Sequence, residues 1–561
     1  MSVVILVVAV AFSSRLAYLM LFKADEYRKR AIAIQERERS IKAPRGVIYD
    51  RNGVVLAENK SVATISVIHS QVKDPEQVVS YLSDKLSLDE DYVRKRVEKV
   101  SSREKIKSNV DIELAKEIRN ENIAGIVVDE DYKRYYPHNE LLSKVLGFTG
   151  GDNQGVLGLE SKYDSILAGQ SGSINTVTAA NGKNIPNGSE RRVESTPGNN
   201  LVLSIDINIQ TYIENAAMRV LEKKQAKRVC IIVMNPQNGE IYGLADVPGY
   251  NLNEPFVLND GSGMTTDNQD ILNRMWRCFP INDTYEPGST FKIITTTAGF
   301  ECNVLNEADG FFCPGYKMVS DRRIRCHKVA GHGSETFVQG IQNSCNPVFM
   351  TVGERVGVDN FFLTMEKLGF FEKTGIDLPG EANSICHEKS NVGPVELATM
   401  SFGQSFQITP MQLLRGVSAA INGGTLVTPH FGMYITDPNN NIIEKLEYTK
   451  KTGAISEENS ERVRALLESV VSEGTGHRAY IEGYRIGGKT ATSEKLPRRD
   501  KKYISSFIGF APADNPKVIT LVLIDEPTGV YYGGTIAAPV AQEIYNSILP
   551  YLGIEKEIIP Q

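Results

Sequence analysis

Ser289 and Lys292 could act together in covalent catalysis, the serine as a nucleophile and the lysine as its base. They lie in "EPGSTFKIITTTAGF", where Pro287-Gly288 ends one segment and an apolar-periodic helix begins. Residues three apart share a helical face, so a desolvated Lys292 could take the proton of the Ser289 hydroxyl. The helix N-terminus would add backbone N–H groups that stabilise developing negative charge. Taken alone, the pair is more often an N-capping serine beside a solvated lysine.

Two further motifs change that interpretation. "QNSCNPVF" supplies Ser344 and Asn346, a hydroxyl and an amide that could relay a proton and hold a substrate amide. "GGKTATSEK" places Lys489 at the start of a short strand. The order S-x-x-K, S-x-N, K-T-G, with successive separations of about 55 and 145 residues, is the signature of penicillin-binding proteins and serine β-lactamases.

The elements that position these motifs belong to a large globular chain. Its 561 residues exceed what one core can organise, so two to four domains are expected. The composition is 41% hydrophobic and 23% charged, as in an ordinary folded protein, and the formal charge of −6 argues against a nucleic-acid partner. The sequence contains neither internal repeats nor low-complexity segments.

The N-terminus is the exception to this soluble composition. Residues 1–22 are mostly apolar and long enough to cross a bilayer as a helix. Basic residues before this stretch and a small-residue cleavage site after it would indicate a signal peptide, and both are missing, so we predict a retained anchor. Basic residues follow the span, so the charge bias alone would keep the chain inside. The charged segment 24–42 is predicted to continue the helix.

Local patterns predict several elements beyond the motifs. Asn52-Gly53 and Asn238-Gly239 each lie between alternating apolar residues and predict hairpins. Asp74 before Pro75 predicts the start of a helix. "ESTPGNNLVLSID" indicates a domain boundary near residue 196.

Along nearly its whole length the chain resembles the class B penicillin-binding proteins, monofunctional peptidoglycan D,D-transpeptidases. The resemblance is carried by "APRGVIYDRNGVVLA", "RYYPHNELLSKVLGFTG", "MNPQNGEIYGLADVPGYNLNEP", "TGIDLPGE", "SFGQSFQITPMQLL" and the three motifs. It implies an α/β (α+β) multidomain fold, in which the catalytic domain has a central antiparallel sheet flanked by helices. The implied parts are a transmembrane helix (1–22), an elongated pedestal or dimerisation domain (23–195), a transpeptidase domain (196–550) and a short tail (551–561).

The resemblance also implies roles in a mechanism. Ser289 would attack the carbonyl between two D-alanines of a stem peptide, with Lys292 as general base, and release the terminal D-alanine. Ser344 would pass protons to the leaving amine, and Asn346 would hold the substrate amide and orient the lysine. Lys489 would provide positive charge for the donor carboxylate.

The rest of the third motif is implied to bind substrate through Thr490, Ala491 and Thr492. The hydroxyl of Thr492 would bind the donor carboxylate, and the backbone N–H groups of Ser289 and Thr492 would form the oxyanion hole. An amine from a second stem peptide would then complete the cross-link.

The same resemblance implies location and partners. The enzyme would be a single-pass protein of the bacterial cell membrane with its catalytic domain outside. Its partners would be peptidoglycan stem peptides, β-lactams, a membrane glycosyltransferase and other wall-synthesis proteins. Neither a metal nor an organic cofactor is required for the reaction.

Two residues depart from the family pattern. Ser405 stands where glycine is usual, and its effect is not predicted. Ala491 replaces the usual glycine of the third motif, and strand alternation places it on the same side as Lys489. We therefore expect altered β-lactam acylation with transpeptidation retained.

The chain has only seven cysteines, and an odd number cannot all form pairs, so a disulfide scaffold is not expected. Cys313, Cys326 and His332 lie in one stretch, which allows a disulfide between the two cysteines, a zinc site that uses all three, or free thiols, with the disulfide favoured. Cys345 is interpreted as a small packing residue.

Other functions share parts of this pattern. Glu381 in "DLPGEANS" could act as a deacylating base, which would make the protein a β-lactamase or a D,D-carboxypeptidase. A catalytically weak scaffold or β-lactam sensor of the wall-synthesis complex is a further alternative. The anchor and pedestal argue against the first, and the complete set of motif residues argues against the second.

Overall fold

The computed structural model describes residues 2–24, 36–101, 103–177, 190–259, 261 and 268–557. The chain divides into two compact units. Unit 1 comprises residues 1–47, 58–135 and 165–199, and unit 2 comprises residues 48–57, 136–164 and 200–561.

The described part of the chain forms helices of four to 22 residues. In chain order they are α1 (Ser2–Leu21), α2 (Pro75–Leu86), α3 (Glu90–Val97), α4 (Ile112–Asn120), α5 (Ser143–Leu146), α6 (Gly158–Lys162), α7 (Asp164–Leu167), α8 (Ile207–Lys224), α9 (Gln269–Trp276), α10 (Phe279–Asn282), α11 (Lys292–Glu301), α12 (Phe337–Gln342), α13 (Asn346–Lys367), α14 (Pro394–Met400), α15 (Pro410–Ile421), α16 (Glu457–Ser472), α17 (Gly533–Ile536) and α18 (Ala538–Tyr551).

The strands are numbered in the same way. They are β1 (Glu36–Ile41), β2 (Ile48–Tyr49), β3 (Val55–Val67), β4 (Glu104–Asp111), β5 (Ile126–Tyr135), β6 (Gly172–Val177), β7 (Glu190–Val193), β8 (Asn200–Leu203), β9 (Arg228–Met234), β10 (Ile241–Val247), β11 (Gly310–Cys313), β12 (Tyr316–Val319), β13 (Arg322–Arg325), β14 (Gly333–Thr336), β15 (Leu426–Val427), β16 (Gly432–Thr436), β17 (Ile442–Lys445), β18 (Lys450–Lys451), β19 (Gly487–Glu494), β20 (Tyr503–Ala511) and β21 (Val518–Asp525).

Unit 1 contains two antiparallel arrangements. Strand β3 pairs with β4 and β5, and helices α2, α3 and α4 pack their apolar residues against this group. Strand β6 pairs with β1 and β7. Helix α2 begins as predicted, because Asp74 Oδ1 accepts a hydrogen bond of 3.2 Å from Gln77 N.

The structure matches the predictions for the N-terminal region only in part. The helix predicted for residues 24–42 is wrong where it can be compared, because residues 36–41 form β1 and pair with β6, and residues 25–35 lie outside the described residues. The local pattern of charges contains no information about pairing with a segment about 130 residues away. Helix α1 covers most of the predicted anchor, but no helix among the described residues is both long enough and apolar enough to cross a membrane.

Unit 2 is built on a five-stranded antiparallel sheet of order β10-β9-β21-β20-β19. Helices α8 and α18 bury their apolar faces against one side of this sheet. Helix α15 contacts β21, and α11 packs among α13, α15 and α16. The prediction of a mixed α/β fold with a central sheet flanked by helices is confirmed, and the third catalytic motif forms the outer strand β19.

Both predicted hairpins form. Strands β2 and β3 flank Asn52-Gly53, and β9 and β10 flank Asn238-Gly239. The glycines have φ of +84° and +91°, which is the left-handed conformation that such turns need.

Candidate active site

The turn before α11 presents Ser289 to solvent. Residues Gly288–Phe291 form a short 3-10 helix that leads into α11. Gly288 has φ of +59°, and a Cβ there would lie 2.3 Å from Ser493 Oγ, so this position requires glycine. Ser289 is half-buried, whereas every residue from Lys292 to Phe300 is buried. The hydroxyl therefore faces the cleft while the lysine side chain lies in the interior.

A backbone hydrogen bond also holds the turn that carries Ser289. Gly288 N donates a 2.9 Å hydrogen bond to Gly403 O, and a Cβ on Gly403 would lie 2.1 Å from Gly288 O. The turn and the loop that carries Gly403 thus approach at a distance that leaves no space for side chains.

Lys292 is held by three acceptors on the second motif. Its Nζ lies 2.7 Å from Ser344 O, 3.2 Å from Ser344 Oγ and 2.7 Å from Asn346 Oδ1. Burial lowers the pKa of Lys292 to about 8, against the opposing influence of Cys326, Cys345 and Glu335. A lysine in this range exchanges a proton near neutral pH, as a general base must.

The second motif occupies a tight connection between α12 and α13. Ser344 has φ of +55°, a left-handed conformation that costs a non-glycine residue about 1 kcal/mol and is maintained only by its surroundings. Asn346 is the first residue of α13, and its Nδ2 donates to Arg325 O at 3.3 Å. The Asn346 amide is therefore oriented on both sides, by Lys292 and by Arg325.

The third motif lies on the outer strand. Lys489 is fully buried, and its Nζ donates to Thr490 O at 3.3 Å. Burial, and then the charge of Lys292, lower the pKa of Lys489 well below its usual value. Ala491 is 3% exposed and lies on the face of β19 that meets Gly288, since its Cβ is 3.6 Å from the position of a Cβ on that glycine.

The two threonines have partners within the fold. Thr490 Oγ1 donates to Thr475 Oγ1 at 3.3 Å. Thr492 Oγ1 accepts from Gly533 N at 3.0 Å, so its own proton is still available for a carboxylate. Because β19 is the outer strand of its sheet, its outward N–H groups are not used in strand pairing, which suits the predicted oxyanion role of Thr492 N.

These elements surround a cavity of about 740 Å³. Most of the predicted site residues line it: Ser289, Ser344, Asn346, Thr490, Ala491 and Thr492. Lys292 and Lys489 lie behind this lining, fully buried. The structure therefore brings every predicted catalytic and substrate-binding residue to one cleft, although Ser289 Oγ makes no hydrogen bond with another described residue.

Sequence reasoning missed part of the lining. Arg325, Thr475, Arg478 and the aromatic pair Tyr531-Tyr532 also face the cavity. Arg325 ends β13, Arg478 lies in a short 3-10 helix, and the others lie in loops. None belongs to a motif, so local spacing gave no signal for them. The two arginines make the rim basic, which suits an anionic substrate.

The predicted disulfide between Cys313 and Cys326 does not form, since all seven cysteines of the chain are free. Both lie with His332 in one cluster, which also contains Cys345. Cys345 is buried, as a packing residue would be, but its sulfur belongs to this cluster, which the sequence reasoning missed. In the sequence Cys345 lies between the catalytic candidates Ser344 and Asn346, and this position gives no sign of the cluster.

Glu381 and Ser405 are explained by their contacts. The Glu381 carboxylate accepts hydrogen bonds from Thr374 N, Thr374 Oγ1 and Gly375 N at 2.6 to 3.2 Å, so it stabilises a turn and does not line the cleft. Ser405 has φ of +69°, which accounts for the glycine usual there, and its Oγ lies 2.9 Å from Thr399 Oγ1.

The fold and the cleft together define a serine enzyme of the penicillin-recognising class. A family model described as "Penicillin binding protein transpeptidase domain" matches residues 229–546, and "Penicillin-binding Protein dimerisation domain" matches residues 40–203. The chain belongs to the class B penicillin-binding proteins, which confirms the resemblance seen in the sequence.

Individual relatives agree with this assignment. Stage V sporulation protein D of Bacillus subtilis is 40% identical over 560 residues, which cover 98% of this chain and 84% of that protein. The probable peptidoglycan D,D-transpeptidase PenA of Neisseria meningitidis is 29% identical and covers 99% and 93%. The solved structure of penicillin-binding protein 2X from Streptococcus thermophilus shares the fold, with a TM-score of 0.76 at 21% identity over 94% of this chain and 83% of that one.

Proposed function

We propose that the protein is a peptidoglycan D,D-transpeptidase that cross-links stem peptides through an acyl-enzyme on Ser289. The observation that carries this proposal is the environment of Lys292. This buried lysine lies one turn after a half-buried serine, is fixed by Ser344 and Asn346, and has a pKa of about 8. Such a lysine is an effective base for a serine nucleophile.

The first half-reaction forms the acyl-enzyme. Ser289 Oγ attacks the carbonyl carbon between the two D-alanines, and its proton passes to Lys292. The tetrahedral oxyanion is stabilised by the N–H groups of Ser289 and Thr492. When the C–N bond breaks, the leaving amine takes a proton through Ser344, and D-alanine departs.

The second half-reaction uses an amine in place of D-alanine. The amine of a neighbouring stem peptide attacks the ester carbonyl, and Lys292 removes the proton that the amine loses. Collapse of the tetrahedral intermediate restores the Ser289 hydroxyl and leaves a new peptide bond, which is the cross-link.

The carboxylate of the donor is bound at the β19 side of the cleft. Thr492 retains a hydroxyl proton for it, and Lys489 and Arg478 add positive electrostatic potential. A β-lactam presents a carboxylate and a strained amide in a similar arrangement, so it acylates Ser289, and its tethered leaving group slows the release.

We further propose that the protein works at the outer face of the bacterial cell membrane with a membrane glycosyltransferase and other wall-synthesis proteins. Helix α1 exposes large apolar side chains, including Leu6, Phe12 and Leu21, which supports attachment to lipid. Protease treatment of intact spheroplasts tests this location. Digestion of the catalytic domain supports it, and full protection argues for the opposite side.

Intact-mass analysis of the full-length chain with benzylpenicillin tests the enzymatic proposal. A stable adduct on Ser289 that is lost in Ser289→Ala and kept in the exposed control Ser472→Ala supports a transpeptidase. Rapid hydrolysis of the drug supports a β-lactamase instead, and a complete lack of adduct supports a scaffold. Release of D-alanine and dimer formation from a D-Ala-D-Ala pentapeptide then separate transpeptidation from carboxypeptidation.

A further inference from the structure

Three sulfur atoms and one imidazole converge beside the active site. Cys313 ends β11 and lies opposite Gly333 of β14, which brings it next to His332. Cys326 follows β13, and Cys345 precedes α13. One potential ligand atom from each of the four residues lies within 4.8 Å of the other three.

The distances suit a small tetrahedral cation. Zinc bonds sulfur at about 2.3 Å and imidazole nitrogen at about 2.0 Å, so a sulfur and a nitrogen on one tetrahedral ion lie about 3.6 Å apart. The separation of Cys326 Sγ and His332 Nδ1 is 3.7 Å. Two sulfur atoms on one tetrahedral zinc ion lie about 3.8 Å apart, and the potential ligand atoms of the cluster all lie within 4.8 Å of one another.

The cluster is largely buried, and Cys326 also borders the active-site cavity. Cys313 and Cys345 are fully buried, Cys326 is 3% exposed, and the His332 side chain is 6% exposed. Three thiols and an imidazole use all four positions of a tetrahedron. This donor set is that of a structural zinc site, which keeps no position open for water or substrate.

A buried carboxylate lies beside the cluster. Glu335 is 5% exposed, and its Oε1 makes no hydrogen bond with any described residue, while Asn343 Nδ2 donates to Oε2 at 3.2 Å. The unpartnered oxygen lies 4.0 Å from His332 Nδ1. The negative charge of Glu335 also acts on Lys292 and opposes the lowering of the pKa of that lysine by burial.

We propose that Cys313, Cys326, His332 and Cys345 bind one Zn²⁺ in a closed structural site. The soft sulfur ligands and the tetrahedral arrangement favour zinc over magnesium or calcium, which prefer oxygen ligands.

The site is connected to the catalytic cleft by covalent bonds. Cys345 stands between Ser344 and Asn346, and Arg325, whose carbonyl accepts from Asn346 Nδ2, precedes Cys326. A metal ion that holds both cysteines therefore fixes both sides of the Asn346 amide and the left-handed Ser344. This consequence rests on the proposed transpeptidase function, whereas metal binding itself does not.

Elemental analysis of the full-length protein, purified in detergent without chelators, tests the site. We expect one zinc per chain. Cys313→Ser, Cys326→Ser and Cys345→Ser lose the metal, whereas Cys302→Ser, a matched change outside the cluster, retains it. A protein without zinc, whether its mass reveals free thiols or a disulfide, overturns the proposal, and so does zinc that remains in the three cluster variants.

Cobalt titration covers the case in which those variants fail to fold. Metal-stripped wild-type chain titrated with Co²⁺ should develop sulfur-to-cobalt charge-transfer absorption and intense tetrahedral bands at one equivalent, and Zn²⁺ should abolish both. Weak octahedral absorption alone overturns the site.

The link to catalysis has a separate readout. Zinc depletion should slow benzylpenicillin acylation by about tenfold or more, and added Zn²⁺ should restore it. Acylation that is independent of zinc overturns the link. A protein that binds zinc but is acylated neither with nor without it contradicts the transpeptidase function while leaving the metal site supported.

Discussion

Lys292 Nζ donates a 2.7 Å hydrogen bond to Asn346 Oδ1, which joins the first catalytic motif to the second across 54 residues of sequence. With the two bonds to Ser344, it points the lysine toward the second motif. The amide oxygen of Asn346 is therefore committed to orienting the base, and only its nitrogen can contact a substrate amide.

Replacement of Lys292 by methionine preserves the shape of the side chain and removes the base. We expect the rate of benzylpenicillin acylation to fall by about 10²- to 10⁴-fold, the usual contribution of a general base. Stopped-flow measurements with a fluorescent penicillin follow this rate. Lys367→Met, at the exposed end of α13, is the matched control, and equal rates for both variants contradict the role.

Acylation should depend on pH through Lys292. The base must be neutral, and burial lowers the pKa of Lys292 to about 8 from the ordinary value of 10.5. Below this pKa the lysine is protonated, so the rate should rise with pH and level off above about 8. Second-order acylation rates between pH 6 and 10 check this, and a rate that is flat throughout or still rising at pH 10 disagrees with the assignment.

Ala491→Gly removes the methyl group that faces the nucleophile turn. A single methyl in a binding site is worth about 1 kcal/mol, so we expect β-lactam acylation to become about fivefold faster, with D-alanine release from the pentapeptide little changed. Ala226→Gly, in the loop after α8, controls for backbone flexibility. If no β-lactam in a panel distinguishes Ala491→Gly from the wild type, the methyl does not influence the drug.

Asp377 stabilises unit 2 through four donors. Its carboxylate accepts from Tyr163 Oη, Tyr448 Oη, Phe431 N and Gly432 N at 2.6 to 3.1 Å. Asp377→Ala leaves these buried groups without an acceptor and should lower the free energy of unfolding by about 3 kcal/mol.

Urea denaturation measures the loss at Asp377. Asp359→Asn is the comparison, because Asp359 is an exposed partner of Lys389 and its replacement should cost less than about 1 kcal/mol. Similar losses for the two variants would mean that the four-donor site contributes little.

The sequence was sufficient to predict which residues meet at the cleft, because each motif is short and its residues lie on a single element. Ser289 and Lys292 needed only a helical turn, and Lys489 and Ala491 needed only strand alternation. The hairpins at Gly53 and Gly239 were equally local, since one residue of positive φ determines each turn.

The features that were missed depend on long-range contacts. Residues 36–41 form a strand only because residues 172–177 pair with them. Cys345 joins a cluster whose other members come from β11, the residue after β13 and the residue before β14. Spacing along the sequence does not reveal that these residues meet in the fold. Arg325 and Arg478, which lie in β13 and in a short 3-10 helix, reach the cleft through long-range contacts as well.

The contact of Gly288 with Gly403 restricts how this enzyme can evolve under antibiotic selection. Because the two residues meet through backbone atoms alone, a side chain on either one would displace Ser289, the nucleophile that we propose. Escape from a drug by substitution must therefore arise at positions whose side chains already border the cleft. Ala491 is such a position, because it lines the cleft where the family pattern has glycine.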